Sequence, residues 1–408
     1  MKNYLSIALG ILTAIGGYVD VGAIATAGEA GSKFGFGLLW AMVLGTICII
    51  FLIEMVGRLS AMGDKAYADI LREKFGFKFA LLPLSADAIA TFLIMAANIG
   101  GASFALYLIT GISFQVWTVA VGLALWLLLW RGSFSLIETG TSLLGLVALC
   151  FLVAAFVLGT PWNKAATEIV LPSIVGRGGP AEYFNIAAGI FGAVISPYLL
   201  YFYSSGGQEE GWTRSMVRTN RVIAIVGMGF GAVAAISIVL VCAVALQPLG
   251  IQVDQLQTAG LGLVAAFGIW GVYLFAATLF VCCFGAAAES VLGFSFEVTQ
   301  IMGWKYNVNK KPRDSAIFNL IFSLYIIVGI LLVALAGIDP LELTIFATGF
   351  TAFMLPVVVG PFLAVMNDPM YLKDQTNGWA SNIAVLLIIM LAFILSITSI
   401  PLMIVGEG

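Results

Sequence analysis

The chain has 408 residues, 61% of them hydrophobic and 10% charged, whereas soluble domains run at about half apolar and a quarter charged. No soluble core hides that much apolar surface, and a formal charge of −3 gives no basic footprint for nucleic acid. Histidine is absent, which removes the commonest proton shuttle and the commonest transition-metal ligand. At about 20 apolar residues per crossing, the first spans fall near 5–30, 34–61, 79–109, 114–130 and 136–159. Further spans fall near 183–206, 219–247, 260–296, 315–337, 341–366 and 379–405, about eleven in all by the same ruler. The chain reads as one all-α integral membrane domain, residues 1–408.

Met1–Tyr4 is too short for a signal n-region, and the apolar segment after it contains Asp20, so it counts as the first span. Cys48, Cys150, Cys242, Cys282 and Cys283 lie in apolar stretches without Cys-x-x-Cys spacing, so neither disulfides nor a zinc site is expected. An inside N-terminus places fifteen of the 18 Lys and Arg residues in inner loops, at 2, 58–78, 131, 214–221, 305–313 and 373. Only Lys33, Lys164 and Arg177 then face out, and this asymmetry sets the orientation. The N-terminus is expected in the cytoplasm and the C-terminus outside, in a plasma membrane of prokaryotic type.

Two spans are interrupted alike. The first carries Gly16-Gly17 and then Asp20-Val21-Gly22-Ala23; the sixth carries Ile195-Ser196-Pro197-Tyr198, where proline removes a backbone donor. Broken spans at corresponding positions of two halves point to inverted repeats with a site at the midplane. Repeat one then covers about 5–159, repeat two about 183–366, and 379–405 is an extra helix. Unwound backbone at membrane depth frees carbonyls, and carbonyls beside a carboxylate suit a hard cation.

Asp20 is the first candidate ligand, because intramembrane acids usually mark an ion or proton path; it can also cap the half-helix starting near Ala23, and both roles are compatible. Glu54 and Arg58 are spaced for a pair on one helix face. Asp87, Glu138 and Glu289 read as partners of inner arginines or as gate elements, and Glu29 as a vestibule acid or a solvated one. Glu209 and Glu210 either line the inner exit or end a helix in water. The chain lacks a Gly-x-x-x-x-Gly-Lys-Ser/Thr loop and has no His for a triad, so neither an ATP-driven pump nor an enzyme is expected.

The sequence resembles the Nramp family of divalent-metal transporters, within the group sharing the LeuT-type fold. The family's first-helix Asp-Pro-Gly-Asn, with a following Thr and Ala-Gly pair, is matched by Asp20-Val21-Gly22-Ala23, Thr26 and Ala30-Gly31. Phe34-Gly35-Phe36 and Leu38-Leu39-Trp40 continue the match. Its sixth-helix Met-Pro-His with a second His and a Ser is matched in frame by Ser196-Pro197-Tyr198, Tyr203 and Ser204. Gly132 with Glu138, and Leu355-Pro356, extend the likeness.

By that resemblance the metal ligands are Asp20, the carbonyl of Ala193, Ser196 in place of the Met and Thr348 in place of a Gln, while Ala23 replaces the ligand Asn. Losing the soft thioether removes a preference for Mn over Mg. The emptier oxygen pocket suits Mg²⁺, which keeps several waters. The likeness is therefore greatest to the family's magnesium-transporting branch. Tyr198 and Tyr203 replace the family's histidines, and Met95 and Asn98 its helix-three acids, so the proton path looks dismantled.

The expectation is uptake of Mg²⁺, and also Mn²⁺, by alternating access without proton coupling and without a cofactor, the bilayer being the one other partner. Two alternatives stand beside it: a LeuT-type carrier of a small organic substrate such as an amino acid, and a non-transporting sensor.

Overall fold

The computed structural model describes residues 18–63, 65–132, 146–174, 179–306, 315–335 and 339–405, with side chains of the last helix described to Ile394. Gly16-Gly17 and Glu138 lie outside the described residues, as does the part of the expected span 136–159 before Leu146. The described secondary structure is helical throughout. The first half comprises α1 (Val21–Phe34), α2 (Leu39–Met62), α3 (Tyr67–Phe75), α4 (Phe77–Thr110), α5 (Phe114–Arg131), α6 (Cys150–Val157) and α7 (Trp162–Val170). The second comprises α8 (Pro180–Val194), α9 (Pro197–Glu209), α10 (Val217–Ala245), α11 (Leu256–Phe267), α12 (Ile269–Met302), α13 (Ala316–Leu335), α14 (Pro340–Met366), α15 (Pro369–Leu372) and α16 (Trp379–Val405).

Most spans fall where the apolar runs put them, and eight helices among the described residues are long and apolar enough to cross a membrane, with α8 and α9 taken as one. The expected span 260–296 needs correction. Gly268, at φ +59°, separates α11 from α12, a backbone region open to glycine and costly for other residues. The crossing helix is therefore 269–302, and α11 is a separate shorter helix. Between the expected spans 136–159 and 183–206 lies α7, which meets the preceding helix at 111°.

Helices α4 and α12 pack along their length, α14 lies on α4, and α10 lies on α1 and α2. Leu123, Leu127, Leu324, Leu331 and Phe393 are exposed on α5, α13 and α16; in lipid such side chains meet their own solvent.

Polar ties close both ends. At the Lys/Arg-rich end, Arg58 pairs with Glu54 on its own helix at 3.2 Å, as the spacing implies. It also donates to the Gln375 carbonyl at 2.5 Å and to Asn377 Oδ1 at 2.7 Å, which clamps α2 to the segment before α16. Lys74 pairs with Asp368, and that hydrogen bond holds the Asp368 carboxyl below its usual range. Tyr67 N–H donates to Ser204 Oγ at 2.8 Å, and Ser60 Oγ to the Ser204 carbonyl at 2.7 Å, joining α3 and α2 to α9. At the other end Lys33 bridges Glu29 at 2.8 Å and Glu182 at 2.7 Å, tying α1 to α8.

Candidate cation site

The sixth span breaks for a reason written in its residues. In a continuous helix the Ala193 carbonyl would accept from the N–H four residues on, and that residue is Pro197, which has none. Helix α8 ends at Val194, α9 begins at Pro197, and the Ser196 hydroxyl donates to the Ala193 carbonyl at 3.0 Å. The carbonyl keeps a second lone pair. Replacing Pro197 by Ala restores the donor and lets α8 and α9 join. Because a net hydrogen bond is worth about 0.5–1.5 kcal/mol, the variant is expected to slow divalent uptake roughly two- to tenfold. Initial rates in proteoliposomes at equal protein density check this, and an unchanged rate would show that the break needs no proline.

The first span opens in a complementary way. Asp20 is the N-cap of α1, its Oδ1 accepting from the Ala23 N–H at 2.8 Å. It is 2% exposed. A Cβ added at Gly22 would lie 2.9 Å from Thr348 Cγ2, 3.0 Å from Asp20 Oδ1 and 3.4 Å from Ala193 Cβ. Glycine at 22 is thus what leaves room between these groups. Asp20, Ala193 and Thr348 thus surround Gly22, Ser196 is tied to the Ala193 carbonyl, and each of the four has an oxygen in a hydrogen bond. Ser196 binds the Ala193 carbonyl, and the Thr348 hydroxyl donates to the Ile345 carbonyl at 3.0 Å.

Asn98 has a part that the sequence reading did not assign. Its Oδ1 accepts from the Val21 N–H at 3.1 Å while its Nδ2 donates to the Ile94 carbonyl at 3.0 Å. The side chain therefore holds the unwound backbone next to Asp20. Tyr198 also adjoins the site, and its buried hydroxyl lies in the field of Asp20 and Glu289 without a hydrogen bond. The other two replaced positions face elsewhere. Met95 packs at Gly329 of α13, and Tyr203 donates to Asn220 Oδ1 on α10 at 3.0 Å.

The surroundings of three acids are as follows. Glu289, expected beside an inner arginine or as a gate element, is fully buried, has no hydrogen bond to either oxygen and lies within electrostatic reach of Asp20. Asp87 likewise has no arginine among the described residues; it accepts from Thr91 at 3.1 Å and faces Glu297. Glu29 is buried and paired to Lys33, so it does not stand solvated in a vestibule. Glu297 was missed because the length ruler ended the eighth span at 296, one residue short, while α12 runs to Met302.

Chemically, the break gathers the Asp20 carboxylate, a carbonyl with a spare lone pair, two hydroxyls, and the negative C-terminal end of α8, with Glu289 within electrostatic reach. An array of oxygens without a neighbouring Lys or Arg suits a hard cation. The fold is shared with solved transporters: a manganese transporter of Eremococcus coleocola superposes with a TM-score of 0.76 at 19% identity, over 97% of this chain and 85% of that one. The common architecture is the LeuT type with helices one and six broken.

Among curated proteins, the divalent metal cation transporter MntH of Caldanaerobacter subterraneus is 22% identical over 400 residues, 96% of this chain and 91% of its own length. The MntH of Acidiphilium cryptum is 26% identical over 240 residues, 57% of this chain and 54% of that protein. The profile of the natural resistance-associated macrophage protein-like family matches residues 10–401, so the chain, a membrane protein with a buried acid at a helix break, belongs to the Nramp family.

Proposed function

We propose that the protein carries divalent cations into the cell by alternating access, with Mg²⁺ as principal substrate and Mn²⁺ also accepted. The observation that carries this reading is the Asp20 carboxylate beside Gly22, Ala193 and Thr348 at a helix break where Ser196 stands in place of a thioether, in a chain without histidine. Asp20 supplies negative charge for the ion, and Glu289 lies within its electrostatic reach. Ala193, Ser196 and Thr348 add oxygens or hold the waters that Mg²⁺ retains, and Ala23 is smaller than the asparagine that the family carries there. The names of the relatives support divalent-metal transport in general, and the loss of soft ligands supports the harder ion.

Transport is uncoupled from protons in this reading, because Tyr198, Tyr203, Met95 and Asn98 offer no group that titrates near neutrality. The membrane potential then suffices, at about 4.6 kcal/mol per 100 mV for a double charge. Orientation follows the basic loops, with the N-terminus inside, and the repeats are about 5–159 and 183–366.

Proteoliposomes loaded with a Mg²⁺-sensitive dye and polarised inside-negative are expected to report Mg²⁺ entry that grows with the potential, with Mn²⁺ competing. A flat signal would sink the carrier reading. A second set loaded with a pH dye is expected to stay at constant pH during metal entry, and acidification would reveal a coupled proton.

A further inference from the structure

Away from Asp20, one buried group of oxygens is left without a counter-charge. Asp87 of α4 and Glu297 of α12 meet across their helix pair, both fully buried. Asp87 Oδ2 accepts from Thr91 at 3.1 Å, but Asp87 Oδ1 and both Glu297 oxygens have no hydrogen bond of sound geometry. Tyr201 of α9 brings its hydroxyl within hydrogen-bonding reach of Glu297, and Tyr325 of α13, whose hydroxyl has no hydrogen bond, lies within electrostatic reach of both acids. Both tyrosines are more than nine-tenths buried. Tyr67 of α3 closes the group, with its hydroxyl 3.5 Å from the Val358 carbonyl and its ring 5.7 Å from that of Tyr201. Among the described residues no Lys or Arg pairs with either acid.

The group lies on the route inward. Asn98, which touches the backbone beside Asp20, is eleven residues from Asp87 on α4. That is three turns, about 16 Å, along one helix face toward the basic end. On α12, Glu297 lies eight residues past Glu289, about 12 Å in the same direction. Two helices that pack along their length thus carry Asn98 and Glu289 near the helix break, and Asp87 and Glu297 two to three turns nearer the basic end.

We propose that Asp87 and Glu297 form a second, inner divalent-cation site, completed by the hydroxyls of Tyr201 and Tyr325, which receives the ion on its way from Asp20 to the cytoplasm. Two facing carboxylates without a basic neighbour match one double charge, and the neutral phenols supply oxygen ligands without adding further repulsion. An unpaired buried carboxylate is strongly disfavoured, so the ionised pair persists only with a cation between the two. The proposal rests on the divalent-transport reading, and its test separates the two.

The experiment titrates Mn²⁺, as a paramagnetic probe, into the purified full-length chain in lipid nanodiscs and counts bound ions by electron spin resonance, with flux measured in parallel liposomes. The wild type is expected to bind two ions. Asp20→Asn with Glu289→Gln is expected to bind one, and adding Glu297→Gln to that pair none. Should the Glu297 variant not give monodisperse protein, Asp87→Asn in the same background is expected to remove the remaining ion, and Tyr201→Phe to weaken it at least threefold. A single wild-type ion that vanishes with Asp20→Asn, beside normal flux, overturns the inner site and leaves the transport reading standing. A remaining ion that is indifferent to Glu297→Gln and Asp87→Asn also overturns it. Two ions without any flux support the inner site and overturn the transport reading.

Discussion

Replacing Asp20 by Asn is expected to lower divalent uptake by two to three orders of magnitude while leaving the fold intact. The two consequences separate because Asp20 has two jobs. As N-cap of α1 it accepts from the Ala23 N–H at 2.8 Å, and asparagine caps as well as aspartate does. As a ligand it contributes charge, which asparagine lacks. Removing one partner of a buried charge pair costs roughly 2–5 kcal/mol, or about 30- to 4,000-fold at 1.4 kcal/mol per decade. Asp20→Ala loses the same charge and also the cap, worth about 1 kcal/mol. It is therefore expected to melt lower than Asp20→Asn at equal transport loss. Melting in detergent followed by intrinsic fluorescence, beside initial rates of Mn²⁺ entry, checks both statements. Transport in Asp20→Asn within threefold of wild type would move the ion away from the break altogether.

The same distinction between local and tertiary chemistry explains what the sequence made legible. The break at Pro197 is local: the missing N–H and the Ala193 carbonyl that would have accepted from it are one helical turn apart, and both can be read from the chain. So can the Glu54–Arg58 pair, four residues apart on one helix. Gly268 divides an apolar run that the length ruler treats as continuous, because glycine interrupts a helix only where the chain actually adopts a positive φ. The acids were harder. Whether Glu289 meets an arginine or Asp20 depends on the rotation of α12 against its neighbours, and that is fixed by packing over the whole bundle. Glu297 was cut off with the polar end of the run, although Ser295, Thr299 and Gln300 around it are a signal that a polar face continues. Asn98 was legible as a missing acid but not as the residue that holds Val21, since its partner lies 77 residues away.

A single methyl group at position 192 is expected to be the most damaging small change in the protein. A Cβ there would lie 1.9 Å from the Thr348 carbonyl oxygen, 2.8 Å from its carbon and 3.0 Å from the Ala352 nitrogen. All three are backbone atoms of α14, so no side chain can rotate out of the way. Close approach through small residues is what holds helices together in lipid, where no hydrophobic force drives them together. Ordinary overpacking costs about 1–3 kcal/mol, and a clash with backbone belongs at or above the top of that range. Parting α8 from α14 also draws Thr348 away from Gly22 and Asp20, so uptake is expected to fall together with stability.

Gly192→Ala should give markedly less monodisperse protein and a melting point several degrees lower. Gly229→Ala on α10, where a Cβ meets nothing within 4 Å, should melt at or above wild type, since alanine is the better helix former by roughly 1 kcal/mol. The comparison isolates the contact, because both substitutions add the same methyl to a helix interior and only one of them has a backbone in its path. Equal melting of the two variants would mean that α8 and α14 stand further apart than a carbonyl in contact with glycine allows. The geometry that sets Thr348 beside Asp20 would then have another origin.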